Sequence, residues 1–257
     1  MKPIFTPVYP RVLLLITTLL LGACSTAPVV EPEGALPDDP RFAPDRVLDQ
    51  DAVSESDAAI SDPWQGFNRT MYRFNYRFDK YVFLPAVRGY RAVTPDFMEH
   101  GIHNFFQNIR DITTLYNSIL QLSPEKTANT VMRLVINSTV GLLGFIDVAS
   151  DVPRSDEDFG QTLGYWGVGS GPYLVLPILG PSSVRDGLGT LTDRIVFSEI
   201  RDAALDLKVW QEWTWDILNA IDTRAHVAFR YYETGSPFEY EWVRLLYTTK
   251  RELDIER

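Results

Sequence analysis

The chain has one cysteine, Cys24, and fewer bases than acids, with 24 lysines and arginines against 34 aspartates and glutamates. A single cysteine excludes an internal disulfide and a thiolate metal site. The formal net charge of -10 excludes nucleic-acid binding, because that function needs a basic face that releases counterions from phosphates. Histidine is also scarce. His100 and His103 lie three residues apart without a third ligand at a recognisable spacing, so we predict neither a metal site nor a cofactor.

Residues 1–23 have the pattern of a secretory signal peptide, in which a basic flank precedes an apolar run from Val12 to Leu21. That run is too short to span a bilayer. Its end, the sequence LGAC, resembles the bacterial lipobox, whose cysteine becomes the acylated first residue of a lipoprotein. We therefore predict removal of residues 1–23 and lipid attachment at Cys24. Ser25 directly after the cysteine implies release to the outer membrane.

Residues 24–62 contain ten acids, two bases, five prolines and one aromatic residue. Such a composition cannot bury enough apolar surface to fold, and it predicts an acidic, disordered tether. After loss of Lys2 and Arg11, 22 bases and 34 acids remain, a net charge of -12, of which the tether supplies 2 minus 10, or -8. Residues 63–257 therefore carry only -4. We predict that they form one folded domain, which is all-α because no repeating strand pattern occurs.

The folded domain begins with an aromatic helical stripe. Asp62 and Pro63 predict an N-cap and a first helical position. Apolar side chains then recur at 3, 4, 3 and 4 spacing, namely Trp64, Phe67, Met71, Phe74 and Phe78. The bases Arg69, Arg73, Arg77 and Lys80 line an adjacent face. Two interpretations stay open: a core-facing stripe with a solvated basic face, or a membrane-interface helix with rings among acyl chains and arginines at phosphates.

Apolar periodicity predicts further helices. The predicted helices are Phe97 to Leu122, a helix that starts at Ser123-Pro124, Ser183 to Phe197, one long helix from Ile200 to Tyr232, and Phe238 to Ile255. In the last of these we expect Trp242, Leu245 and Leu246 to face inward. Val131 to Ala149 is nearly all apolar apart from Arg133, Asn137 and Asp147. Because charges inside hydrocarbon are costly, this segment is either a buried helix hairpin or half-immersed in one leaflet. The acids Asp156, Glu157 and Asp158 predict a solvated loop.

The glycine-rich segment, Phe159 to Gly189, holds eight of the sixteen glycines and no charged side chain from Phe159 to Val184. Glycine and proline disfavour a helix here, and the apolar composition does not suit a loop exposed to water. The run GVGSG at 167–171 matches neither a dinucleotide fingerprint, a phosphate-binding loop nor GxSxG. We therefore predict no catalytic residue in it. Taken alone, the segment is best interpreted as a connection packed on the core.

Three long stretches resemble the VacJ/MlaA outer-membrane lipoproteins. They are DPWQGFNRTMYRFNYRFDKYVFLPAVRGYR from Asp62, NSTVGLLGFIDVAS from Asn137, and the glycine-rich segment itself. The resemblance implies a ring-like assembly of amphipathic helices embedded in one leaflet of the outer membrane, with a central amphipathic channel. It implies transport of mislocalised phospholipid to a soluble periplasmic carrier, which feeds an inner-membrane MCE-domain ABC transporter. It also implies binding to a trimeric porin and no enzyme activity.

With this resemblance, the candidate residues fall into three groups. Arg133 and Asp147 are candidates for a polar channel seam that contacts headgroups, against the alternative of a purely structural pair. The gate and hinge candidates are Gly164, Tyr165, Trp166, Gly167, Gly169, Gly171, Pro172 and Tyr173. The membrane-interface candidates are Trp64, Phe67, Arg69, Met71, Arg73, Phe74 and Arg77. Two rival functions remain: a structural or porin-scaffolding lipoprotein that moves no lipid, and a phospholipase.

Overall fold

The computed structural model describes residues 60–233 and 235–256, all within one compact unit. The predicted signal peptide, Cys24 and nearly all of the tether lie outside the described residues. The elements are α1 (Gln65–Phe78), a π-helical segment (Asp79–Phe83), α2 (Leu84–Val93), α3 (Asp96–Leu120), α4 (Pro124–Thr139), α5 (Phe159–Tyr165), β1 (Tyr173–Leu176), β2 (Gly180–Ser183), α6 (Val184–Leu205), α7 (Val209–His226) and α8 (Glu239–Glu256). The predicted all-α class is confirmed.

In the described part of the chain, one antiparallel hairpin interrupts the helices. No strand pattern in the sequence predicts it. Strand β1 pairs with β2 from Tyr173 opposite Ser183 to Leu176 opposite Gly180. Burial alternates along β1, but all four of its residues are apolar, so the two-residue period is invisible in the sequence. Strand β2, with the sequence GPSS, lacks β-branched and aromatic residues. The expectation that the domain has no strands was therefore wrong at this one place.

The helices and the hairpin contact one another in a closed circuit, which we call the contact ring. Helix α1 continues through the π-helical segment into α2, which packs on α7, and α7 packs on α3. Helix α3 contacts α5, α5 contacts α8, and α8 reaches the hairpin, which packs back on α1. Helix α4 packs on α3, and α6 packs on α5 and both strands. The ring is joined by a bidentate ion pair in which Arg224 of α7 holds Asp79 of the π-helical segment.

Burial is inverted relative to a water-soluble domain. Among the described residues, the buried side chains are mainly polar or charged, and the buried hydrophobic ones are few. The small aromatic core consists of Tyr72, Tyr173, Val175 and Tyr240. Large apolar side chains are instead exposed along nearly every helix, for example Val93, Leu191 and Trp210. Soluble monomers rarely expose contiguous apolar surface on this scale, and large exposed patches mark contact with a membrane or a partner protein.

The start of the folded region differs from the prediction. Trp64, not Asp62, occupies the N-cap of α1, and it makes no side-chain capping bond. The Asp62 carboxylate instead accepts hydrogen bonds from Asn68 at 2.7 Å, from the Tyr240 hydroxyl at 2.6 Å and from Arg244 at 2.8 Å. Asp62 therefore ties the beginning of the domain to its last helix. By contrast, the predicted start at Ser123-Pro124 is confirmed, since Ser123 is the N-cap of α4.

Of the two interpretations of Val131 to Ala149, the buried helix hairpin is wrong. Helix α4 ends at Thr139, and residues 140–150 form consecutive turns in which Leu142 and Leu143 have φ of 53° and 60°. Both leucines are about two-thirds exposed, at 67% and 66%. The inward residues of α4 are the polar ones, Thr130, Arg133 and Asn137, so the interruptions in the apolar run mark its protein-facing side.

The predicted long helix from Ile200 to Tyr232 is two helices. Helix α6 ends at Leu205, Asp206 has φ of 21°, and α7 begins at Val209. The Gln211 side chain accepts a hydrogen bond from the Lys208 backbone at 2.9 Å, which marks a new helix start. In α8, Leu246 is exposed although it was predicted to face inward, and Arg244 is buried. No helix in residues 60–233 or 235–256 is long and apolar enough to cross a membrane.

Candidate functional site

A polar stripe on α1, rather than its aromatic stripe, faces the protein interior. Asn68, Tyr72, Asn75 and Asp79 recur at 4, 3 and 4 spacing, and all four are buried. The Asn68 amide donates to the Tyr173 carbonyl and accepts from the Val175 amide, at 3.0 and 2.9 Å. The sequence contains this pattern, because each of the four buried residues comes one position after a residue of the aromatic stripe and so repeats with the same helical period. We did not expect the polar set to be the buried one.

The predicted aromatic stripe is therefore not core-facing. Trp64 is 46% exposed and Phe67 36% exposed, and Met71 and Phe74 are half-buried. Among the arginines, Arg73 and Arg77 are exposed, whereas Arg69 pairs with Glu241 of α8 and lies over the Tyr240 ring. Of the two open interpretations, this placement favours the membrane-interface helix.

Arg133 and Asp147 lie together in what we call the arginine network. The two Arg133 terminal nitrogens donate to both Asp147 carboxylate oxygens, at 3.1 and 2.9 Å, and to the carbonyls of Ala149 and Val152, at 2.6 and 2.9 Å. The Asn137 amide donates to Asp147 at 2.8 Å. Burial opposes ionisation of Asp147, but the hydrogen bonds from Asn137 and Arg133 outweigh it and lower the pKa of that carboxyl.

Asp111 of α3 extends the arginine network inward. It accepts from Arg154 at 2.7 Å, and its other oxygen lies 3.8 Å from the Arg133 Nε without a hydrogen bond in the described part of the chain. Burial raises the pKa of Asp111 to about 6 in spite of the two arginines. The network thus joins α3, α4 and the turns after α4 through charged groups, of which Arg133 and Asp111 are almost fully covered by protein.

A second charged cluster joins α5, α6 and α8. Arg251 donates to both oxygens of Asp158 at 2.7 and 2.9 Å, and to Asp186 at 3.0 Å. The Asp158 side chain also caps α5 by accepting from the Gln161 backbone. Glu157 is buried, where it accepts from Gln121 and pairs with Lys126. The predicted solvated loop is therefore correct only for Asp156, and the Arg251 side chain lies inside the cluster.

The glycine-rich segment begins as helix α5 and continues through a loop into the hairpin. Gly164 lies in α5, where an added Cβ would sit 2.5 Å from the Ile255 side chain. Gly167 and Gly171 have φ of +84° and +68°, a backbone conformation that favours glycine. Around Gly167 and Gly169 nothing lies within 4 Å of an added Cβ. Three hydrogen bonds fix the loop: Trp166 Nε1 to the Leu120 carbonyl, Arg185 to the Val168 carbonyl, and the Arg185 amide to the Ser170 carbonyl.

The aromatic gate candidates separate in the fold. Tyr165 and Trp166 are exposed, and their rings meet edge to face. Tyr173 is instead buried in the aromatic core beside Tyr240 and Tyr247. Pro172, the remaining candidate, accepts a hydrogen bond from the Val184 amide at 3.1 Å. Tyr173 is 1% exposed. As a gate candidate it was expected near lipid headgroups, and its burial in the core contradicts that expectation.

Two apolar grooves open on the surface of this unit. The first, of about 480 Å³, lies between α3 and the α6–α7 connection and is lined by aromatic side chains that include Phe105, Trp210 and Trp215. The second, of about 650 Å³, is formed by Trp64 and Phe67 of α1 with Leu174, Leu176 and Leu188. The second groove brings the membrane-interface candidates of α1 next to the hairpin of the glycine-rich segment. Their size and apolar lining suit hydrocarbon chains.

Comparison with known proteins gives matches along most of the folded region. The family model described as "MlaA lipoprotein" matches residues 60–254. A Rickettsia prowazekii protein is 40% identical over 139 residues, 53% of this chain and 54% of its own length. The intermembrane phospholipid transport system lipoprotein MlaA of Escherichia coli K12 is 34% identical over 177 residues, which covers 65% of this chain and 67% of that protein. The chain thus spans about half the length of the Rickettsia relative.

A solved structure has a similar fold. It comes from work on the "Structural basis for maintenance of bacterial outer membrane lipid asymmetry", with a TM-score of 0.61 and 31% sequence identity. The match covers 76% of this chain and 99% of the other. The region outside the match is about the size of the segment that precedes residue 60.

Proposed function

This chain belongs to the MlaA lipoprotein family, and from that premise we propose that it removes mislocalised phospholipids from the outer leaflet of the outer membrane. The phospholipid passes through a central amphipathic channel inside the contact ring. A soluble periplasmic carrier then takes it toward an inner-membrane MCE-domain ABC transporter. By this route the protein maintains the lipid asymmetry of the outer membrane.

The inverted burial is the observation that carries the proposal. Apolar side chains point outward from nearly every helix, and the interior is held together by amides, carboxylates and guanidinium groups. A domain of this kind is stable when hydrocarbon covers its outside, because the outward apolar surface is then removed from water. Exposed apolar residues on the turns after α4, such as Leu142, Leu143 and Ile146, have the right character to enter acyl chains.

The lipid itself needs two environments. Its phosphate requires cationic or hydrogen-bonding groups, and its acyl chains require apolar walls. In our proposal the arginine network supplies part of the polar seam, and the two apolar grooves supply walls for acyl chains. Asp147 and Arg154 are the members of the network with access to solvent, since their side chains are 29% and 26% exposed against 4% for Arg133.

The location and partners follow from the same proposal. Residues 1–23 are removed, the acylated Cys24 anchors the protein to the periplasmic leaflet of the outer membrane, and residues 24–62 act as the tether. The last residue of the tether, Asp62, is bonded to Asn68 and Arg244 of the domain. A trimeric porin binds the domain from within the membrane, where the exposed apolar helices offer a contact surface.

Gene deletion followed by measurement of surface-exposed phospholipid tests the proposal. We expect more phospholipid in the outer leaflet, with recovery on expression of the wild-type chain. Unchanged surface phospholipid would favour a structural or porin-scaffolding lipoprotein. The purified protein, incubated with phospholipid vesicles and its carrier, should release intact phospholipid. Release of lyso-phospholipid would instead indicate a phospholipase.

A further inference from the structure

We propose that a divalent transition-metal ion of the zinc class binds at His103, Asp222 and His226, which we call the histidine–aspartate cluster. The proposal is independent of lipid transport. His103 lies on α3, and Asp222 and His226 lie one turn apart on α7. Their ligand atoms all lie within 4.8 Å of one another. The cluster contains two of the three histidines in the chain.

The carboxylate of Asp222 is the anchor of this site. His103 Nδ1 lies 2.9 Å from Asp222 Oδ2, and His226 Nδ1 lies 3.6 Å from Oδ1. Asp222 is 1% exposed, and its Oδ1 has no hydrogen-bond partner within the described residues. A buried, unpaired carboxylate oxygen is costly and requires a partner, such as a bound cation.

The surroundings supply no other cation for that oxygen. Arg91 approaches from α2, but its side chain binds Glu99 at 3.2 Å and the Ala225 carbonyl at 2.7 Å. The Tyr90 hydroxyl is buried beside the Asp222 carboxylate. A hydroxyl group carries no positive charge, so it does not balance the charge of that carboxylate.

The two imidazole rings stack with centroids 3.6 Å apart and planes inclined by 23°. A divalent ion uses both rings in their neutral form and takes the free Asp222 oxygen as a third ligand. Two histidines and a carboxylate are a ligand set typical of zinc.

On the outer side of the His103 ring, Nε2 lies 3.1 Å from Gln107 Nε2, whereas the Glu99 oxygen at 4.0 Å from His226 Nε2 is beyond hydrogen-bond distance. A His103 ring that binds metal through Nδ1 carries its proton on Nε2, so the Gln107 amide has to present its oxygen there to accept that proton. Binding requires one ring to turn, because stacked rings do not point at a common ion. His226 then exchanges its 2.9 Å hydrogen bond to the Asp222 carbonyl for the metal.

The experiment uses the full chain with Cys24→Ser, purified in detergent without a histidine tag, so that neither a thiol nor a tag binds zinc. After chelation and dialysis, ZnCl₂ is titrated in by calorimetry and the retained metal is measured. We expect about one zinc ion per chain. His103→Ala and His226→Gln should each weaken binding at least 10-fold, whereas His100→Ala, an exposed residue on the same helix, should not.

Thermal unfolding provides a second readout, because a ligand that binds only the folded state raises its midpoint. Zinc should raise the midpoint of the parent and of His100→Ala, and should leave that of His103→Ala unchanged. Circular dichroism establishes that each variant is folded. Absence of zinc binding by the folded parent, or equal binding by the parent, His103→Ala and His226→Gln, would overturn the proposal.

Discussion

Arg133 is held by two carbonyl groups and by Asp147, with Asp111 close by, so the loss of one partner does not leave its charge alone. Asp147→Ala should therefore lower the free energy of unfolding by about 1–3 kcal/mol, less than the loss from a fully buried pair. We expect a helical circular dichroism spectrum but reduced lipid removal, measured as surface-exposed phospholipid in cells.

The matched control for Asp147→Ala is Asp156→Ala, because Asp156 pairs with the same network through Arg154 at 3.7 Å but is 72% exposed. It should change neither stability nor lipid removal. If Asp147→Ala unfolds the protein, the pair is structural. If it stays folded with normal lipid removal, Asp147 does not belong to the polar seam.

The carboxyl of Asp186 makes the domain sensitive to acid. Burial opposes its ionisation, but the hydrogen bonds and charge of Arg251 outweigh burial and lower the pKa of Asp186 below the ordinary value of an aspartate. The unfolded chain thus binds the proton more readily than the folded one. The stabilisation is present above about pH 4 and is lost as the pH falls further. Urea unfolding between pH 7 and pH 3 should show this loss, and Asp186→Asn should flatten the profile.

Two glycines near the start of α6 differ in what surrounds them. At Gly189 an added Cβ would lie 2.3 Å from the Gly160 backbone nitrogen, whereas at Gly187 the nearest atoms are side-chain atoms at 3.7 Å. Gly189→Ala should destabilise the domain by about 1–3 kcal/mol or more, because α5 would have to move away from α6. Gly187→Ala should be neutral or stabilise by about 0.5–1 kcal/mol. Thermal unfolding of both variants makes the comparison, and equal midpoints would contradict close packing of these helices.

The loop between α5 and the hairpin is the candidate gate. Replacement of both Gly167 and Gly169 by alanine introduces no contact, but Gly167 has φ of +84°, where alanine is strained by about 1 kcal/mol. We expect slower lipid removal, measured as surface-exposed phospholipid. Gly66→Ala and Gly89→Ala, helical positions with open space around an added Cβ, are the controls. Normal lipid removal in the double variant would contradict the gate and would indicate that this loop only packs against the domain.

Helix positions were largely predictable because the apolar period is strong in every long helix, but the buried side of each helix was not. Hydrophobic periodicity locates a face and does not say whether water or hydrocarbon lies against it. In α1 the polar set Asn68, Asn75 and Asp79 has the same period as the aromatic set. The sequence was sufficient to suggest that Arg133 pairs with Asp147 as a structural alternative. It was not sufficient to predict the histidine–aspartate cluster, since His103 and Asp222 are 119 residues apart.

At the scale of the whole molecule, the exposed apolar surface should bind membranes without the acyl anchor. The full chain with Cys24→Ser should float with phospholipid vesicles in a density gradient. Adding Leu143→Lys should weaken this binding about 10-fold, because a mostly exposed leucine would no longer enter the acyl region. Thr249→Lys, at an exposed polar position of α8, is the control. Flotation that is lost with the anchor alone would contradict a membrane-embedded domain.

The bonds from Tyr240 and Arg244 to Asp62 have a consequence for biosynthesis. They join the first residues of the domain to its last helix across 178 and 182 positions of the chain. During export the leading end of the domain emerges long before α8 does. The Asp62 carboxylate therefore lacks two of its three hydrogen-bond partners until translocation is almost complete. A premature stop before Glu239 would leave this buried end of the domain bonded to Asn68 alone.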